Sequence, residues 1–268
     1  MFKFLPASLQ PPRVAVVRLT GAIGSAGRFG SGMNDAGLAP ILDRAFRAGR
    51  PRAVALIVNS PGGSAAQSSL IGARIRRLAD EHQVEVHAFV EDVAASGGYW
   101  LACAADRIWL DPNSVVGSIG VISASFGLHE LLHRAGVERR VHTAGRSKSL
   151  ADPFLPQKPE DIERLRAILE PIHANFIDHV RTRRAGRLAE GAALFEGDVW
   201  VGAAAVELGL ADGIAHPVPK LKELYGPKVR LVPYGQRRSL WQRFGLSAAA
   251  DAAIAAAEER ALWARYGL

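Results

Sequence analysis

A lone serine stands between two alanines and two glycines in Ala94-Ala95-Ser96-Gly97-Gly98-Tyr99, directly after the apolar stretch Val86-His87-Ala88-Phe89-Val90. A strand ending here would leave the Ser96 hydroxyl open at its edge, with little side-chain bulk around it. A second junction of the same kind lies upstream. The unbroken apolar run Ala53-Val54-Ala55-Leu56-Ile57-Val58 reads as a buried strand and leads into Asn59-Ser60-Pro61-Gly62-Gly63. Taken singly, each motif also fits tight packing or an ordinary turn. On consecutive strands, the two point to one site.

A serine hydroxyl is a weak nucleophile until a neighbouring base takes its proton. The chain has eight histidines, and none lies in a glycine-rich context. His129, His133, His173 and His179 fall on predicted helices, and His82 and His142 sit near element ends. Helix-surface histidine is therefore preferred to a Ser-His-Asp triad. A lysine serves instead if desolvation or nearby cations bring its pKa from about 10.4 toward about 7 or 8. Arginine outnumbers lysine here and cannot lose its proton in a protein. Lys148, in Ala144-Gly145-Arg146-Ser147-Lys148-Ser149, stands out because its small-residue loop directly follows a predicted strand. The plain alternative is an exposed loop lysine.

Acyl transfer also needs donors for a developing oxyanion, and backbone N–H groups are fixed before the reaction begins. Gly63 and Gly97 are the candidates, one at each strand end. Gly62 and Gly98 leave room for a substrate backbone to approach. A helix beginning at Ser96 adds a favourable dipole.

The elements that must position these residues alternate along the chain. Val14–Leu19 reads as a strand and Gly21–Gly32 as a glycine-rich loop. Helices are expected from the Asn34 cap to near Gly49 and from Ser64 or Ser68 to Glu81. The strand from Val84 to Val90 and a short helix from Ser96 to about Ala104 follow. Short strands are expected at Arg107–Leu110, Val121–Ser123 and Arg139–Thr143. Helices are expected at Leu128–Ala135 and at Lys158–Arg184, the latter interrupted or kinked at Pro171. This alternation indicates an α/β fold with a mainly parallel sheet. From Pro217 the pattern weakens through Pro219, Pro227 and Pro233 into an expected linker, followed by an alanine-rich helix from Ala248 to Tyr266.

The 268 residues, 49% of them apolar, suffice for one large domain with an appended tail. No apolar run near the amino terminus approaches the roughly 20 residues that span a bilayer. A single cysteine, Cys103, suits a reducing compartment. No His and Cys spacing suggests a metal site, and no cofactor is expected. The net charge of +7 is concentrated after Pro217, where nine Lys or Arg stand against four Asp or Glu. A solvated basic face is the simplest account; contact with a membrane surface is the alternative. No aromatic-interleaved basic motif points to nucleic acid.

Four motifs in order, Asn59-Ser60-Pro61-Gly62-Gly63, Ala94-Ala95-Ser96-Gly97-Gly98-Tyr99, Val116-Gly117-Ser118-Ile119-Gly120-Val121 and Gly145-Arg146-Ser147-Lys148, resemble those of the signal peptide peptidase A (protease IV) family. The similarity runs from about Val14 to Ala215 and includes Ala205–Asp212. It implies a ClpP/crotonase-like fold of repeated ββα units, and a peptidase domain over residues 13–216 between a short extension (1–12) and a basic tail (217–268). It further implies a Ser-Lys dyad acting on short apolar peptides, either signal-peptide remnants or cytoplasmic peptides. On this resemblance Ser96 is the nucleophile, Lys148 the general base and Ser118 the residue that orients the lysine, with Gly63 and Gly97 in the oxyanion hole. In that family serine and lysine come from different copies of the domain, so a homo-oligomer with a shared site is implied. A cytoplasmic location, with peripheral contact at the inner membrane surface through the tail, is the matching expectation. The competing expectations are a crotonase-type acyl-CoA enzyme, for which acid-base carboxylates are not evident, an inactive peptide-binding scaffold, and a Ser-His-Asp peptidase.

Overall fold

The computed structural model describes residues 11–24, 32–145, 148–235, 260 and 262–267. Two units are resolved, one formed by Met1–Ile119 with Asp178–Leu268, the other by Gly120–Ile177.

The first unit is built on a sheet whose central path runs β6-β5-β3-β2-β1-β8, with β4 beside β3 and β7 beside β4. Its strands are β1 (Arg13–Thr20), β2 (Ala53–Ser60), β3 (Glu85–Ala95), β4 (Arg107–Leu110), β5 (Val115–Gly117), β6 (Val199–Val201), β7 (Gly213–Ile214) and β8 (Arg230–Tyr234). Among these described strands only β5 and β6 pair antiparallel. β2, buried along nearly its whole length, has the continuous apolar composition expected of a parallel strand covered on both faces.

The helices are α1 (Asp35–Arg47), α2 (Ala65–His82), α3 (Gly97–Cys103), α4 (His129–Arg134), α5 (Pro159–Arg183), α6 (Gly202–Glu207) and α7 (Pro217–Tyr225). Asn34 caps α1 by accepting from Gly37 N–H at 2.8 Å, and Ser64 caps α2 by accepting from Gln67 N–H at 3.4 Å. Leu38, Leu42 and Phe46 recur on one face of α1 and are buried, each contributing about 1.5–3 kcal/mol through removal from water. Two parallel hydrogen bonds from Arg74 to Asp35, at 2.7 and 2.8 Å, tie α2 to the start of α1.

β3 is longer than the expected Val84–Val90 and serves two neighbours on one side. His87–Val90 pair with β4, and Val93–Ala95 pair with β5. At the split, the buried Ser114 hydroxyl accepts from Asp111 N–H at 2.9 Å and lies 3.0 and 2.5 Å from the Val90 and Glu91 carbonyls. On the other side of β3 the register against β2 shifts between Val58 and Ser60. Asn59 spans this bulge, its amide donating to Asp92 at 2.6 Å and its carbonyl accepting from Val93 N–H at 3.2 Å. The polar pair Glu91-Asp92 conceals the strand's continuation in the sequence, because a bulge turns both residues outward.

Three expectations need correction. The segment from Pro217 is not a linker: it forms α7, with Pro217 at the first helical turn, and β8, which pairs parallel with β1. Proline suits the start of a helix and, at Pro233, an edge strand. Leu221 of α7 is fully buried with Val14 and Phe89. Val121–Ser123 and Arg139–Thr143 are not strands. They contain the β-branched residues Val121, Ile122, Val141 and Thr143, yet Ile122 and Val141 are exposed, and strand propensity without a paired neighbour does not make a strand. α5 runs on through Pro171. The expected helix at Ala248–Tyr266 falls mostly outside the described residues.

The second unit contains α4 and the larger part of α5. Within it, Arg139 pairs with Asp152 at 2.5 Å and lies over the Phe154 ring at 4.9 Å, closing the loop between the two helices.

Candidate active site

Ser96 sits at the junction of β3 and α3. Its backbone is in the left-handed region, φ 51° and ψ −122°, a conformation that costs a non-glycine residue about 1–3 kcal/mol and persists only where surrounding contacts enforce it. Those contacts are present on both sides. Ser96 N–H donates to Gly117 O at 2.8 Å, and Trp100 N–H donates to Ser96 O at 3.0 Å. The strand-to-helix turn thus resembles the strained elbow that exposes a nucleophile at a sheet's end.

The second junction closes on the first. A Cβ at Gly62 would lie 2.8 Å from Ser96 Cβ and 2.9 Å from Gly97 N, and one at Gly63 would collide with the Ile23 carbonyl oxygen. Only glycine allows this approach, and both residues have positive φ, 101° and 142°. Ile23 N–H donates to Gly62 O at 2.8 Å, and Ser64 N–H donates to Ile23 O at 2.7 Å. That pairing leaves Gly63 N–H outside the ladder. Among the described residues neither Gly63 N–H nor Gly97 N–H has a protein acceptor, so two fixed donors flank the serine. Gly98 is needed for packing: a Cβ there would collide with Ser60 O.

Ser118 ends β5 as Ser96 ends β3, again with positive φ, 50°. Its N–H donates to Asp198 O at 2.6 Å, which holds the turn against the start of β6. The first unit therefore brings together Ser96, Ser118, Gly62, Gly63, Gly97 and Gly98. Lys148 belongs to the second unit. It is exposed in a turn, and its N–H donates to Gly145 O at 3.2 Å; Arg146 and Ser147 lie outside the described residues. Following that turn, a cavity of about 640 Å³ is lined by Phe126, His129, Leu150, Pro153 and Leu155.

The sequence reading missed the residues that support α3. Trp100 stacks on His179 at 4.5 Å and 9°, and Tyr99 donates to Leu210 O at 2.8 Å. Arg184, 2% exposed, pairs with Asp212 at 2.7 Å. Burial raises the Asp212 carboxyl pKa, but hydrogen bonds from Arg184 and Ile108 N–H outweigh it and leave the group below the usual carboxylate range. The arginine-rich stretch Arg181–Arg187 was the available signal, though it reads equally as a solvated helix end. No group of His, Cys, Asp and Glu among the described residues could hold a metal ion.

Comparison with known proteins bears on the family and the fold. Residues 79–218 match the model of peptidase family S49, and the chain belongs to that family. It is 31% identical over 210 residues to the chloroplastic serine protease SPPA of Arabidopsis thaliana, covering 75% of this chain and 30% of that protein. It is 49% identical over 271 residues to a Brucella melitensis protein named as the Na(+)/H(+) antiporter NhaA, covering 95% of this chain and 37% of that protein. The chain thus spans about a third of the length of each of these relatives. Among its own described residues no helix is long and apolar enough to cross a membrane. A solved structure of the 1510-N membrane-bound stomatin-specific protease, a lysine-to-alanine mutant in complex with a substrate peptide, superimposes with a TM-score of 0.53 at 16% identity, covering 88% of this chain and 96% of that one. The fold is of the ClpP/crotonase type.

Proposed function

We propose that this chain is a serine endopeptidase with a Ser-Lys dyad. Ser96 Oγ attacks the peptide carbonyl carbon while Lys148 Nζ takes its proton. Gly63 and Gly97 N–H hold the resulting oxyanion, and the protonated lysine returns the proton to the leaving amine. Water, deprotonated by the same lysine, then releases the acyl group from Ser96. Ser118 orients the lysine, and Gly62 and Gly98 give the substrate backbone room.

The observation that carries this reading is Ser96 at φ 51°, beside two glycine N–H groups without protein acceptors among the described residues. Preorganised donors of this kind are worth about 2.7–4 kcal/mol each in the transition state. The order of the four sequence motifs and membership of the S49 family support the assignment to Lys148. The family resemblance favours short apolar peptides, such as signal-peptide remnants, as substrates. The family resemblance supports a homo-oligomer in which Lys148 reaches the Ser96 of another copy. The match to a stretch of a longer polypeptide named as an antiporter supports work beside a membrane surface.

A fluorophosphonate probe tests the nucleophile. Adduct mapping is expected to place the label on Ser96 alone; labelling of a different serine would overturn the assignment.

A further inference from the structure

α3 is a seven-residue helix with two glycines in its first turn, too short to stand by itself and disfavoured by about 1 kcal/mol at each glycine. Its placement, and with it that of Ser96, must come from what grips it. At the amino end the grip is the Gly117 hydrogen bond and the close approach of Gly98 to Ser60.

At the carboxyl end it is arginine. Helix ends leave carbonyls unpaired, and here those of Cys103, Ala104 and Ala105 each find a guanidinium. Arg183 donates to Cys103 O at 3.0 Å and Ala105 O at 3.1 Å, and Arg76 donates to Ala104 O at 3.2 Å. Arg76 and Arg183 are held apart and in place by the Asp106 carboxylate between them, at 2.9 and 3.3 Å. Cations also complement the negative end of the helix dipole. One turn before Arg183 on α5, and so on the same face, His179 lies flat against the Trp100 ring. Its Nε2 is 3.0 Å from Trp100 O. A carbonyl only accepts, so the proton is on Nε2. Burial lowers the His179 pKa to about 4, which keeps the ring neutral near pH 7.

We infer that His179 and Arg183 are positioning residues for Ser96: from the end of α5 they fix the rotation and axial position of α3, and so aim the Ser96 hydroxyl. Neither touches the serine. His179 grips Trp100, whose N–H holds the Ser96 carbonyl, and Arg183 grips the helix's far end. The inference rests on Ser96 being the nucleophile.

The test compares wild type with Arg183→Met, which keeps the aliphatic stem, and with His179→Ala and His179→Gln, the last retaining a donor where Nε2 stands. Three quantities are read: kcat and KM on fluorogenic apolar peptides, the rate of fluorophosphonate labelling, and amide exchange at Trp100–Cys103. A displaced serine should lose about 10- to 100-fold in kcat and in labelling rate, with KM within about twofold. Exchange at the α3 amides should rise in Arg183→Met and His179→Ala, and His179→Gln should recover most of the loss. Unchanged kcat and labelling in either folded variant would overturn the inference, as would a loss confined to KM. If Arg183→Met does not fold, the His179 pair decides by the same criteria. If no form, wild type included, hydrolyses peptide or labels, the peptidase reading fails. In that event, unchanged α3 exchange overturns the clamp as well, and raised exchange supports it.

Discussion

Ser96 and Ser118 are matched residues on neighbouring strands. Each follows a strand end, β3 and β5, each has a left-handed backbone, φ 51° and 50°, and the two turns are joined by Ser96 N–H donating to Gly117 O at 2.8 Å. Both side chains therefore leave the same end of the sheet, which is where open α/β sheets place their sites.

The strain at Ser96 predicts a stability gain from the removal of function. Ser96→Gly relieves the positive φ and should raise unfolding free energy by about 1 kcal/mol while abolishing hydrolysis. Ser96→Ala should abolish it without that gain. Urea denaturation alongside peptide turnover reads both effects.

Gly98→Ala should cost about 1–3 kcal/mol by overpacking, because the new Cβ meets the Ser60 carbonyl, a backbone atom that cannot turn aside. Gly97→Ala should cost less: its Cβ meets the Ser68 hydroxyl, which can rotate away. Thermal unfolding of the two variants ranks them.

Asn59→Asp should destabilise at neutral pH by about 1 kcal/mol, since it sets a second carboxylate in place of the amide that donates to Asp92 at 2.6 Å. Protonation removes that repulsion, so the deficit should shrink as pH falls toward 4. Denaturation at pH 7 and pH 4 checks the sign, and turnover should fall with the loosened end of β3.

His179 makes stability depend on pH in a defined window. Its folded pKa is about 4 against 6.5 in the unfolded chain, so between these values the unfolded state binds the extra proton. Stability is fully present above about 6.5 and falls with acidification, by at most about 1.4 kcal/mol per pH unit, down to about 4. His179→Gln should flatten this part of the profile, measured by chemical denaturation from pH 4.5 to 7.5. An unchanged slope would show that His179 is not buried neutral.

The strand ends that carry the candidate site were legible in the sequence, where spacing alone decides them. The glycines of Asn59–Gly63 and Ala94–Tyr99 announced two strand ends, and the structure closes Gly62 onto Ser96. The Asn34 and Ser64 caps and the buried face of α1 followed from local rules. What stayed hidden depends on partners distant in the chain. β8 was masked by its proline and becomes a strand only beside β1. Ser114 holds the split of β3 by contacts more than twenty residues away. The arginines behind α3 resemble any charged helix end until Cys103, Ala104 and Ala105 present their carbonyls. Conversely, Val121–Ser123 had strand-like residues and no strand to join.

The most direct test of the central claim is hydrolysis of fluorogenic apolar peptides from pH 6 to 10 by wild type, Ser96→Ala, Lys148→Ala and an equimolar co-assembled mixture of the two variants. The account predicts that each variant alone is inactive and that the mixture regains activity, as complementary copies complete one another's site. Wild-type turnover by Lys148→Ala would contradict it.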